Sequence, residues 1–181
     1  PDPEEIGAEG RSFLRPLREA AEALKGMARS HGADPGVSLI AAEAAAEADS
    51  VLESAARLVT LRQRFKRALK GQGESETAIG RLERQLVDAP AAERPGLERA
   101  LEARKSELSH YERARAAISE IDGKLRHAEA ELSELKARLL AGSVLAQADR
   151  LDETEFQETV ARLKSLGRSF EEVQELVEQR R

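Results

Sequence analysis

The sequence has no cysteine and no tryptophan among its 181 residues. Without thiols, disulfides, thiolate nucleophiles and thiolate-bound metals are all excluded. Aromatic residues make up only 3% of the chain, too few to build the dry, concave pocket in which catalytic groups shift their pKa values. Asparagine is also absent. No apolar run approaches the roughly 20 residues that a membrane-spanning helix requires. There is no cationic excess: 29 Lys and Arg stand against 34 Asp and Glu, for a net charge of -5. Such a balance gives no general attraction to nucleic acid or to an anionic membrane. The chain opens PDPEEIG, without methionine, and reads as a processed end or as part of a larger protein. A cysteine-free chain suits a reducing compartment, so the expectation is cytoplasmic. The preference for Arg over Lys, together with abundant Ala, reads as the codon bias of a GC-rich bacterial genome.

What is present is charge and aliphatic periodicity. Charged residues are 35% of the chain and the mean hydropathy is -0.53, proportions that suit long helices burying a narrow stripe. Residues 1–11 (PDPEEIGAEGR) read as an acidic linker. Ser12 can cap a first helix carrying Phe13, Leu14, Leu17, Ala21 and Leu24, with Pro16 in its first turn. "HGADPG" should end it. A second helix over 37–70, about 50 Å long at 1.5 Å per residue, begins Ala-rich and continues through Leu58, Leu61, Phe65 and Leu69. "GQGES" (71–75) interrupts it. A short helix over 76–87 follows, and "DAPAAERPG" (88–96) breaks the chain again.

The longest element is expected over 97–140, about 65 Å. From Ala114 its apolar positions, Ile118, Ile121, Leu125, Ala128, Leu132, Leu135 and Leu139, step 4-3-4-3-4-3-4, a heptad seam. The repeat slips near Tyr111. Beyond Gly142, Asp152 with Glu155 and Ser169 with Glu172 form two capping-box patterns. The end of the chain therefore reads as two short helices separated at Gly167.

The expected fold is all-α: an elongated antiparallel coiled-coil-like helical hairpin or bundle over 12–142, with short flanking helices and a short-helix pair over 143–181 packing on or beside it. The two arms would be 37–87 and 97–140, with the tip at 88–96. A chain reversal at Gly71–Ser75, giving three antiparallel helices, is the other arrangement that the spacing allows.

No residue is assigned a catalytic, cofactor-binding or metal-binding role. His31, His110 and His127 fall in no H-E-x-x-H pattern, and "GQGESE" lacks both the third glycine and the strand of a phosphate-binding fingerprint. "DRLDETEFQE" lacks the ligand alternation of a calcium loop. The one candidate contact is "LRQRFKRALK" and its approach: Arg57, Arg62, Arg64, Lys66, Arg67 and Lys70 could meet an anionic surface. On a helical wheel these cations surround the apolar arc without forming one stripe. They equally suit a solvated helix end that complements the macrodipole.

In the tail, Leu166, Gly167, Ser169, Glu171, Glu172 and Leu176 resemble the short helix-turn-helix that follows the wing in MerR-type regulators. That family's DNA-reading helix and wing have no counterpart here, so the tail is read as a capped helical pair.

The functional expectation is a non-enzymatic structural, scaffolding or protein–protein interaction module. It would work through a packing seam of Leu58, Leu61, Phe65, Leu125, Leu132, Leu135 and Leu139. Its partner would be a second copy or another protein in preference to a membrane surface or nucleic acid, with no small-molecule substrate and no cofactor. The alternatives are an adaptor for anionic surfaces using 57–70, or an oligomerising regulatory segment of a larger protein.

Overall fold

A computed structural model describes residues 3–30, 35–145 and 153–179. Among these the secondary structure is helical: α1 (Pro3–Ser30), α2 (Pro35–Ala68), a 3-10 turn (Leu69–Gly71), α3 (Gln72–Asp88), α4 (Arg94–Leu145) and α5 (Glu153–Gln179). No strand occurs among the described residues, so the fold class is all-α. The chain forms two compact units. The first comprises residues 1–63 with 120–181, the second residues 64–119.

The first unit has the larger core. Buried aliphatic residues step by three and four along every helix in it: Leu14, Leu17, Ala21 and Leu24 on α1; Ala44, Ala48, Val51, Ala55 and Leu58 on α2; Ile121, Leu125, Ala128, Leu132 and Leu135 on α4; and Val160, Leu163, Leu166, Phe170, Val173 and Val177 on α5. This spacing keeps each stripe on one helical face. Each large side chain so buried contributes about 1.5–3 kcal/mol. Alanine on α2 lets neighbouring helices approach closely. Ion pairs mark the edges: Lys25 on α1 with Asp49 on α2 at 2.5 Å, Lys164 on α5 with Glu43 on α2 at 2.7 Å, and Arg138 on α4 with Glu158 on α5 at 3.5 Å. The carboxylate of each pair is well solvated, and such pairs contribute at most about 1 kcal/mol each, so the aliphatic stripes carry the stability.

Three sequence expectations are corrected here. Residues 3–11, read as linker, are helical, and Ile6 and Gly10 are buried. The helix is kinked at Gly7, whose φ of 67° and ψ of 172° lie in a region open essentially to glycine alone. Ser12 accordingly does not cap; its hydroxyl donates to the Glu9 carbonyl at 2.6 Å. Pro16 lies inside the helix instead of in its first turn. Burial of Leu14 and Leu17 on either side offsets the missing N–H. Second, the tail is one helix. α5 runs unbroken from Glu153 to Gln179, and Ser169 Oγ donates back to the Leu166 carbonyl at 3.0 Å. Gly167 costs about 1 kcal/mol in a helix interior, less than burying Phe170 and Val173 returns. Leu166–Leu176 therefore do not form the helix-turn-helix they resemble. Third, the expected stop at Gly142 is passed, since α4 reaches Leu145. Asp152 lies outside the described residues.

The second unit contains the end of α2, the 3-10 turn, α3 and the start of α4. At Gly71–Ser75 the backbone stays right-handed: Ala68, Gly71 and Gln72 all have αR dihedrals. The next break is sharper. Ala89, at φ -72° and ψ 137°, is extended because Pro90 follows it. The Glu93 and Arg94 N–H groups then donate to the Pro90 carbonyl at 3.0 and 3.3 Å. Arg94 Nε also donates to the Ala89 carbonyl at 3.1 Å, and Pro95 sits in the first turn of α4, where no donor is needed.

Two glycines distinguish close packing from open helix. A Cβ on Gly10 would lie 2.5 Å from Val59 Cγ1 and 2.8 Å from Ile6 Cγ2, whereas a Cβ on Gly167 would meet nothing within 4 Å. Gly10→Ala should therefore destabilise the chain by about 1–3 kcal/mol through overpacking. Gly167→Ala should stabilise it by about 0.5–1 kcal/mol. Urea denaturation followed by circular dichroism reads both; a destabilising Gly167→Ala would mean that α5 bends there.

Candidate functional site

Arg62 has the most distinctive chemistry in the first unit. It lies on α2, 4% exposed, and two helices supply its partners. From α4, Asp122 accepts from Nε through Oδ1 and from Nη2 through Oδ2, the latter at 3.2 Å. From α1, Glu9 Oε1 accepts from Nη2 at 2.9 Å. The Phe13 ring lies against the guanidinium, 4.9 Å from centroid to Cζ, a cation–π distance. Nη1 is buried without a hydrogen-bond partner among the described residues. Burial alone would lower the Arg62 pKa, but the hydrogen bonds to Asp122 and Glu9 more than compensate, and the net displacement is upward. The guanidinium is thus a permanent cation held by two carboxylates. By tying one guanidinium to carboxylates on two other helices, the arrangement holds α1, α2 and α4 in register.

This corrects the expected role of Arg62, whose cationic head faces the carboxylates of α1 and α4 and not an external anion. The rest of the basic segment disperses. Arg57 donates to Glu53 Oε1 at 2.9 Å and to Ser54 Oγ at 2.8 Å. Arg64, Arg67 and Lys70 are exposed and Lys66 is half-buried; these four belong to the second unit. Of the seam residues, Leu58, Leu61, Leu125, Leu132 and Leu135 are buried and Phe65 is half-buried. The Leu139 side chain lies outside the described residues, as does His31. His110 pairs with Arg113 at 2.9 Å through Nδ1.

A smaller polar cluster sits in the second unit. Tyr111 Oη donates to Glu107 Oε1 at 3.1 Å, and Arg104 Nη1 donates to Glu107 Oε2 at 2.7 Å. Buried Ser75 also hydrogen-bonds Glu107. The Tyr111 hydroxyl fills the space beside Gly71, 2.8 Å from where a Cβ would stand. Hydrogen bonds from Arg104, Ser75 and Tyr111 hold the Glu107 carboxyl below its ordinary 4.5. The hydrogen bond to Glu107 raises the Tyr111 hydroxyl above its ordinary 10.0.

Sequence reasoning missed the partners in both clusters. Glu9 falls in the supposed linker, Asp122 is sixty positions from Arg62, and no local pattern joins Ser75 to Glu107. The only signal is an acid placed beside a seam position, as Asp122 is beside Ile121.

No family model, curated protein or solved structure matches the chain.

Arg62→Gln abandons two carboxylates, but Glu9 and Asp122 side chains are 46% and 19% exposed and can rehydrate. The expected loss is about 2 kcal/mol, with Arg62→Met less damaging because it fills the site without a charge. Equal denaturation midpoints for wild type and Arg62→Gln would remove the register role. A second expectation concerns acid. The folded-state pKa of Glu107 lies below its unfolded value, so its contribution is complete only well above 4.5 and disappears as pH falls through the folded-state value. Glu107→Gln should flatten the acid side of the stability profile, where pH falls through 4.5 and below, read by urea titrations at each pH.

Proposed function

We propose that the chain is a non-enzymatic structural or scaffolding module. It works through coiled-coil-like helical packing, with α3 and the start of α4 folded back as an antiparallel hairpin whose outer face binds a second copy. The support comes from within residues 64–119. Gly71 approaches Tyr111, Ser75 bonds Glu107, and Glu83 pairs with Lys105 at 3.1 Å. Numbers rise along α3 as they fall along α4, which is the contact order of antiparallel helices.

The observation that carries the reading is incomplete burial. Ile79, Leu82, Leu86, Leu97, Leu101 and Leu108 are all only half-buried, and Val87 is 76% exposed. The buried positions in this unit are small or polar: Gln72, Ser75, Ala89, Ala114 and Ala117. Two helices cover only one side of each other's stripe, and an aliphatic face left in water is a site for association. Leu and Ile at successive turns suit another helix of the same kind.

A cationic surplus supports a second reading. Residues 64–119 hold twelve Lys and Arg against nine Asp and Glu, and Arg67 and Lys70 are exposed. Contact with an anionic surface would use these two side chains.

Light-scattering mass across a concentration series tests the first reading. The expected result is a concentration-dependent multiple of the 19.8 kDa chain. Leu82→Lys with Leu101→Lys should return the single-chain mass while leaving the first unit's helical signal in place. A single-chain mass for the unaltered protein at every concentration would exclude self-association. Salt-sensitive binding to anionic vesicles, lost on Arg67→Gln with Lys70→Gln, would favour the second reading.

A further inference from the structure

Within the first unit, α4 and α5 leave a cleft of about 190 Å³ between them. Lys124, His127 and Glu131 reach it from α4, and Arg162, Ser165 and Ser169 from α5. The spacing explains the convergence: positions 124, 127 and 131 share one helical face, as do 162, 165 and 169. At roughly 30 Å³ per water, the volume holds about six waters, room for a tetrahedral oxyanion and part of the group that carries it.

The charges in the cleft are unequally engaged. Arg162 Nη1 is 3.1 Å from Glu134 Oε1 and 3.7 Å from Glu131 Oε2, so one edge of its guanidinium is held by carboxylates. Lys124 and His127 make no hydrogen bond or ion pair with any described residue. Ser169 uses its hydroxyl proton on the Leu166 carbonyl; the exposed Ser165 has its own proton to give. Two cations, one imidazole and one hydroxyl donor therefore line the cleft with one carboxylate, Glu131, while a second, Glu134, holds Arg162 from outside the lining.

Three ligand classes can be weighed against this lining. An apolar ligand would find only Leu166. A metal cation would find His127 and Glu131 at i, i+4, but no group of three or more His, Asp or Glu suited to a metal exists among the described residues, and Lys124 and Arg162 repel a cation. An oxyanion finds donors from both helices, with charge-assisted hydrogen bonds available from Lys124 and from the protonated imidazole.

We propose that this cleft binds a phosphate group, with Lys124 and His127 as the principal ligands, Ser165 as a neutral donor and Arg162 as a partly committed third cation. The site is independent of the self-associating face, which lies in the other unit. Lys124, Arg162 and Glu131 line the cleft beside His127, so an anion there meets cations from both helices.

The test is a titration of the full chain with inorganic phosphate and, separately, with phosphoserine, following the His127 ring protons by NMR. The expected result is saturable movement of the His127 signals. Affinity should fall about tenfold or more in Lys124→Gln and in His127→Gln, the latter followed through the backbone amides of α4 and α5. Both variants should melt like the unaltered chain, since neither side chain is bonded to any described residue. Response to both probes identifies the phosphate group itself as the ligand; response to phosphoserine alone identifies a phosphorylated side chain as its source. No saturable response to either, affinity unchanged in both variants, or saturation by zinc in place of phosphate would overturn the proposal.

Discussion

An aliphatic stripe on a helix is stable in water only when another helix covers it, and this constraint organises the whole molecule. The chain has almost no aromatic bulk with which to fill a wide interior. Its stability must come from Leu, Ile, Val and Ala repeating at three and four along several helices. In the first unit the requirement is met: Leu17, Leu58, Ile121, Leu132 and Leu163 are completely or almost completely buried. In the second unit it is met only in part, and that difference separates the part that holds itself together from the part with apolar surface left to offer.

The buried arginine follows from the same constraint. Once α1, α2 and α4 pack by their stripes, the edge of each stripe comes close to its neighbours. A charge there must be paired or excluded. Arg62 is paired from two sides, by Asp122 and Glu9, with Phe13 covering the guanidinium. Such a centre adds less stability than its contact distances suggest, because desolvating three charges costs much of what their attraction returns. Its effect is selective: a helix displaced by one turn would leave a buried charge without its partner. Ser75, Glu107 and Tyr111 form a neutral-and-charged analogue in the second unit, at the place where Gly71 makes room for the phenol.

The helices were legible in the sequence because periodicity is a local property. The stripes of α2 and α4, the break at Ala89–Pro90 and the helical class can all be read from spacing and from proline. Elements failed where a local signal was strong but tertiary packing was stronger. Gly167 and Ser169 offer a stop and a cap, yet Leu166, Phe170 and Val173 continue one buried face and the helix runs through. Gly7 and Gly10 resemble linker glycines. One supplies a backbone kink and the other a point of close approach to Val59, roles that exist only once α1 lies against α2.

The basic segment shows the same division at the level of side chains. Sequence alone determined that residues 61–70 are helical and cationic, with an apolar arc through Leu61 and Phe65, because charge and spacing are written in consecutive residues. Only the tertiary structure decided that Arg62 is internal while Arg67 and Lys70 meet solvent, and that Lys124, His127 and Arg162 share one cleft. Those outcomes depend on which residues sixty or thirty positions away are brought alongside. No local pattern encodes that distance; the covering of one stripe by another does.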